Sequence, residues 1–152
     1  MFINQEVYYY MLSIYPACFF YENNSYSVVF PDLNWLTTQG DTLQEAMEMA
    51  VDCLAGYLHT CKMDGDTIPK PSKISDINLE EIAKELDPES PVCESFANMV
   101  SVDVASYAKE HFEKSVKKTL TIPTWLNTAA LEQNINFSQT LQDALKEKLN
   151  LR

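Results

Sequence analysis

The sequence predicts an α+β domain, a three- or four-stranded sheet with a packed helix, followed by a short strand–helix–helix module. Three observations point there. Two apolar, β-branched and aromatic runs, residues 12–21 and 26–30, flank a polar turn. A long helical face starts behind the sequence Thr42-Leu43-Gln44-Glu45. Near the C-terminus, residues 117–122 alternate in polarity and then meet Pro123 and two amphipathic stretches.

Residues 12–21 read as a first strand, and Pro16, which has no N–H to donate, places it near a sheet edge. Glu22-Asn23-Asn24-Ser25 is a turn, and residues 26–30, "YSVVF", return as the second strand of a hairpin. "PDLNW" interrupts, with Asp32 fixing the turn, and residues 36–39 make a third short strand closed by Gly40. "TLQE" is a capping box, in which the Thr42 hydroxyl accepts from the Glu45 amide and the Glu45 side chain reaches back. Leu43, Ala46, Met47, Ala50, Leu54, Tyr57, Leu58 and Cys61 follow at spacings of three and four, with Gln44, Glu48, Asp52 and His59 opposite. That stripe must lie on the sheet. Pro69 and Pro71 forbid helix in the loop beyond. Asn78 can cap a short helix, "LEEIAKEL", and Pro88 and Pro91 end it. Val100, Val102 and Val104 alternate with polar or small residues as a last strand. "AKEHFEKS" reads as a connection.

The C-terminal strand sets Lys118, Leu120 and Ile122 on one side and Lys117, Thr119 and Thr121 on the other. Pro123 suits the first turn of a helix carrying Leu126, Ala129 and Ala130. "NINF" turns the chain, and Ser138 caps a second helix with Leu141, Ala144, Leu145 and Leu149. Some 35 residues of this kind cannot bury a core alone, and a lone strand has unpaired edges. Dimerisation answers both needs.

Charge divides along the chain. Residues 1–112 hold 18 acidic and 5 basic side chains, a balance of −13, and residues 113–152 hold 4 and 6, a balance of +2. Two such segments suit two tasks. Cys18, Cys53, Cys61 and Cys93 form no CxxC pair and have no histidine at ligand spacing, so they read as reduced thiols without metal. The N-terminus lacks the basic start and cleavage site of a secretory signal, which predicts a cytoplasmic protein. No apolar run reaches the length of a membrane span. Met11 could serve as an internal start, leaving residues 1–10 optional.

"VKKTLTIP", a helix and "INFSQTLQDALKEKL" together resemble the ribbon-helix-helix DNA-binding domain. The resemblance implies that two strands pair across a dimer axis and enter the major groove, which admits a β-ribbon. Lys117, Thr119 and Thr121 would face the bases, and Lys118 would add attraction to the backbone. The amides around Phe137 and Ser138 would hold a phosphate at a helix N-terminus. This family often has glycine between its helices; here Asn136 stands near that place.

The first segment resembles the HicB antitoxin family. It carries Phe30-Pro31-Asp32-Leu33, then Gly40-Asp41-Thr42-Leu43 before a helix with Glu45-Ala46, and "IPKPS" at residues 68–72. Asn34-Trp35-Leu36 departs from the small residues common in that loop. The resemblance implies a truncated ribonuclease-H-like domain that binds and blocks a HicA-like toxin, a small basic RNA-cleaving protein. Nucleases of that fold need several carboxylates converging on two metal ions, one of them in the middle of the first strand. Residues 12–21 contain no Asp or Glu, so no catalytic residue, metal or cofactor is expected. His59 and His111 read as surface or linker residues. The expected organisation is a toxin-binding domain over 11–107, a linker over 108–115 and a ribbon-helix-helix domain over 116–152. Asp32, Glu45, Glu48 and Asp52 are the expected toxin contacts, on an acidic surface that would attract a basic partner. The expected partners are the toxin, operator DNA and a second copy of the chain, with a dimer of dimers as the next order of assembly. A different class of reading is a free-standing regulator whose first domain senses a ligand or protein.

Overall fold

A computed structural model describes residues 11–89 and 94–151. Residues 1–10, with the question of their belonging to the native chain, and Cys93 lie outside the described residues.

Two reversals shape the sheet. Asn23 and Asn24 both take positive φ, 53° and 60°, the backbone of the two-residue hairpin turn whose twist matches its strands. They join β1 (Ser13–Glu22) to β2 (Ser25–Phe30), antiparallel with Cys18 opposite Val29 and Glu22 opposite Ser25. The second reversal is longer, spanning residues 31–35 between the paired Phe30 and Leu36. The Leu33 N–H donates to the Phe30 carbonyl at 3.2 Å and the Leu36 N–H to the Leu33 carbonyl at 3.2 Å, with Asn34 and Trp35 at φ 56° and 59°. Asparagine tolerates that region, whereas tryptophan adopts it at a cost. β3 (Leu36–Gly40) then pairs with β2, and β4 (Glu94–Val102) pairs with the length of β1. The order is β3-β2-β1-β4.

β1 is therefore a central strand, not the edge expected from Pro16. The proline rule still operates locally. β2 pairs with β1 only from Cys18 onward, so at Pro16 the strand has β4 alone beside it. Opposite Pro16, the Met99 N–H bonds the Asn98 side chain at 3.0 Å, so this pair asks no donor of the proline.

α1 (Leu43–Asp64) covers one face of the sheet. Thr42 Oγ1 accepts from the Glu45 N–H at 3.1 Å, while Glu45 Oε2 accepts from the Asp41 N–H at 2.9 Å, one residue earlier than in a standard capping box. Gly65, at φ 74°, closes the helix. Ala46, Ala50, Leu54 and Leu58 pack on Ala17, Phe19, Val28 and Phe30, and each fully buried large side chain contributes about 1.5–3 kcal/mol. Small residues at 46 and 50 let the helix approach closely, and Gly40 abuts the backbone of Ala46.

α2 (Leu79–Leu86) covers part of the opposite face through Ile82, which packs with Cys18, Phe20 and Val29. Asn78 caps it as the sequence predicts, accepting from the Glu80 and Glu81 amides. After β4 the expected strand residue Val104 and the expected connection instead form α3 (Val104–His111). Asp103 accepts from the Ser106 N–H at 3.1 Å and so starts a helix where alternation suggested more strand. Residues 108–111 belong to this helix and not to a linker.

The chain divides into two compact units, the second beginning at Ser115. In the second, α4 (Thr124–Glu132) and α5 (Phe137–Lys148) are joined by a turn in which Asn134 has φ 54°. The left-handed residue is thus Asn134, not Asn136. Asn136 caps α5, accepting from the Gln139 N–H at 3.0 Å, and Ser138, the expected cap, lies inside the first turn. Asn136 wins because its side chain reaches the third amide of the helix. Residues 114–123 form no strand within the single chain, because a strand exists only where a neighbour accepts its hydrogen bonds.

Candidate functional site

Lys117, Lys118, Thr119 and Thr121 lie on the segment before α4, all exposed. Pro123 stands at the helix entrance, and its carbonyl accepts from the Leu126 and Asn127 amides at 3.1 Å. Phe137 and Ser138 open α5, where the first amides have no partner inside the helix. Most apolar side chains of this unit are also bare: Val116 is 77% exposed, Leu120 63% and Trp125 71%. Isolated, it keeps its hydrophobic stripe in water, a state that association would relieve.

The four carboxylates expected to meet a toxin have separate duties. Asp32 accepts from the Ser72 N–H at 2.7 Å and from the Ser72 hydroxyl at 2.6 Å. It clamps the loop after α1 onto the sheet, and so does not serve the local turn alone. Glu45 is committed to the helix cap, and Glu48 accepts from the Gln44 side chain at 3.0 Å. Asp52 is half-buried and accepts from the Tyr107 hydroxyl at 2.9 Å, fastening α3 to α1. Its expected place on a solvated face fails because α3 covers that side of α1.

Asp32 and Ser72 explain why distant pieces of sequence belong together. Phe30-Pro31-Asp32-Leu33 is bound to Ser72 at the end of "IPKPS", and the Tyr15 hydroxyl donates to the Pro69 carbonyl at 2.6 Å. Asp32→Asn replaces an acceptor with an amide facing a donor. It is expected to cost about 1–2 kcal/mol and to free the loop, because bonds to a charged acceptor are the stronger ones. Hydrogen exchange at the Ser72 amide reads the effect; unchanged protection would show that the clamp is not Asp32.

The histidines are not simple surface residues. His111 stacks on Tyr107 with ring centroids 4.1 Å apart, and His59 lies 5.6 Å from Phe112. Both belong to the seam between α1 and α3. Burial first and the Asp52 bond second push the Tyr107 hydroxyl above its ordinary pKa. Burial, reinforced by the charge of Asp32, pushes the Cys18 thiol up to about 11, so it stays protonated near neutral pH. Cys18, Cys53 and Cys61 are free thiols. Among the described residues no cluster of three His, Cys, Asp or Glu is placed to hold a metal ion, and no helix is long and apolar enough to cross a membrane.

Sequence reading missed one feature, a groove beside α2 on the face of the sheet away from α1. Its parts are distant in sequence, and only the apolar positions Leu79, Ile82, Ala83 and Leu86 hinted that α2 has a packing face.

A family model described as the HicB-like antitoxin of bacterial toxin–antitoxin systems matches residues 15–145, across both units. Antitoxin HicB 1 of Photorhabdus laumondii subsp. laumondii is 38% identical over 69 residues, which make up 43% of this chain and 44% of that relative. The matched region thus spans less than half the length of that relative. A chain of a toxin–antitoxin complex from Streptococcus pneumoniae is 36% identical, with 91% of this chain and 99% of that one covered and a TM-score of 0.61.

Proposed function

The chain belongs to the HicB-like antitoxin family of bacterial toxin–antitoxin systems, and on that premise we propose that it binds and neutralises a HicA-like mRNA-cleaving toxin and represses its own operon. The carrying observation is the family match across residues 15–145, which takes in the acidic first unit and the basic segment of the second. The first unit, a truncated ribonuclease-H-like fold in this reading, supplies the toxin surface. Asp32, Glu45, Glu48 and Asp52 contribute negative potential that draws in a basic protein and competes with its RNA substrate. No catalytic step is assigned to this chain.

The second unit, 116–152 in this reading, is the ribbon-helix-helix module. Two copies pair residues 116–122 as an antiparallel ribbon and bury the stripe that one copy leaves exposed. Thr119 and Thr121 then face base edges, the lysines meet phosphates, and the amides at Phe137 and Ser138 hold a backbone phosphate. A dimer of dimers would bring two ribbons to one operator. The setting is cytoplasmic, where both mRNA and operator are found.

Co-expression with a HicA-like toxin, sought first in the reading frame adjacent to this chain's own, tests the reading. We expect the two to co-purify, the toxin's RNA cleavage to stop, and the complex or free antitoxin to shift promoter DNA at low salt. Failure both to bind the toxin and to shift the DNA would sink it.

A further inference from the structure

The two faces of the sheet are covered to different extents. α1 seals the first with a continuous apolar core. On the second, α2 is anchored by Ile82, its one buried residue. Between α2 and the strands runs a groove of about 500 Å³, floored by Phe20 and Val29 and walled by Ala83 and Leu86. That volume lies within the range of pockets that bury most of a drug-sized ligand, so it accommodates more than one side chain. Glu80 and Asp87 stand at its margin with a single lysine, Lys84.

We propose that this groove is the docking site of the toxin, and that it receives an apolar side chain flanked by lysine or arginine. The inference rests on the antitoxin reading above and names the surface that performs it. Charge selects the occupant. The groove's lining carries Glu22, Glu80 and Asp87 against Lys84, in a chain with a net charge of −11. The acidic first unit of a second copy would be repelled there, while a basic protein is attracted. Apolar floor and acidic margin together match a basic segment with an apolar anchor, the arrangement in which a buried anchor holds and the charged rim orients. The roles then separate. Carboxylates on the α1 side raise the rate of encounter, and the groove sets the rate of departure.

Ser27 tests this, because it lines the groove, is exposed, and lies outside both core clusters. Binding of a catalytically inactive toxin to the full-length chain is measured for wild type, Ser27→Arg and Ala105→Arg, the last placing the same charge on exposed α3. Ser27→Arg is expected to weaken binding by about 10-fold or more, chiefly through faster dissociation, while Ala105→Arg stays within about 3-fold. Lys84→Glu is expected to tighten binding several-fold by removing the like charge from the margin. Circular dichroism confirms that each variant is folded.

Equal affinities for Ser27→Arg and Ala105→Arg, with wild type binding normally, would overturn the groove and leave the antitoxin reading standing. Absence of toxin binding by wild type would remove both. The fluorescent probe ANS separates a further outcome. If Ser27→Arg abolishes ANS binding while toxin affinity holds, the groove takes small apolar molecules and the proposal falls.

Discussion

Gly40→Ala is expected to destabilise the first unit by about 3 kcal/mol, at the upper end of overpacking effects, and to lower its melting temperature by roughly 10–20 °C. A Cβ built at Gly40 would stand 2.4 Å from the Ala46 nitrogen and 2.8 Å from the Ala46 Cα. These are backbone atoms of a capped helix, with no flexible side-chain end that could swing aside. Relief requires α1 to withdraw from the end of β3, and with it the contacts of Ala46 and Ala50 on the sheet. Gly56→Ala is the control. Its Cβ would meet only the ring of Phe112 at an ordinary 3.7 Å, inside a helix where alanine is preferred to glycine by about 1 kcal/mol. Chemical denaturation of the full chain compares the two. If Gly40→Ala costs no more than Gly56→Ala, the close approach has been misjudged.

The second large effect lies in the basic segment. In the proposed dimer, replacing Lys117 and Lys118 with alanine removes four charges. If all four meet phosphates, the slope of log affinity against log salt falls by roughly 3.6, since each neutralised phosphate contributes about 0.9. Across 50 to 200 mM salt the wild-type dimer then loses on the order of 100-fold more affinity than the variant does. Thr119→Ala and Thr121→Ala should leave that slope alone and blunt discrimination between operator and unrelated DNA. Titrations at several salt concentrations separate the two effects. An unchanged slope in the double lysine variant would remove these residues from the phosphate contacts.

Both predictions connect to motifs that could be seen before any coordinates, though the reasons for them could not. Gly40-Asp41-Thr42-Leu43 announced a helix start through Thr42 and Glu45. That the glycine itself is required depends on how closely β3 meets the backbone of Ala46. Asp32 looked like a turn former because it follows Pro31. Its partner proved to be Ser72, forty residues away.

Local signals with short-range causes were legible: the Asn23-Asn24 hairpin, the caps at Thr42 and Asn78, the stripe of α1, and the change of charge after residue 112. Each depends on neighbours within about one turn or one strand pair, where side-chain chemistry and backbone preference act directly. Some misreadings arose where distance in space decided, and one where a local cap overrode strand alternation. Pro16 suggested an edge, yet β4 returns to make β1 central, and the shortness of β2 lets the proline stand there. Valine alternation suggested strand through Val104, yet Asp103 caps α3, whose Tyr107 takes Asp52 off the solvated face. The sequence by itself determined the first hairpin, the third strand and the main helix, and which half of the chain carries the acid. Only the tertiary structure decided which strand is central, which carboxylates are occupied, and that a groove opens beside α2. Those outcomes depend on contacts between residues tens of positions apart, which no local pattern encodes.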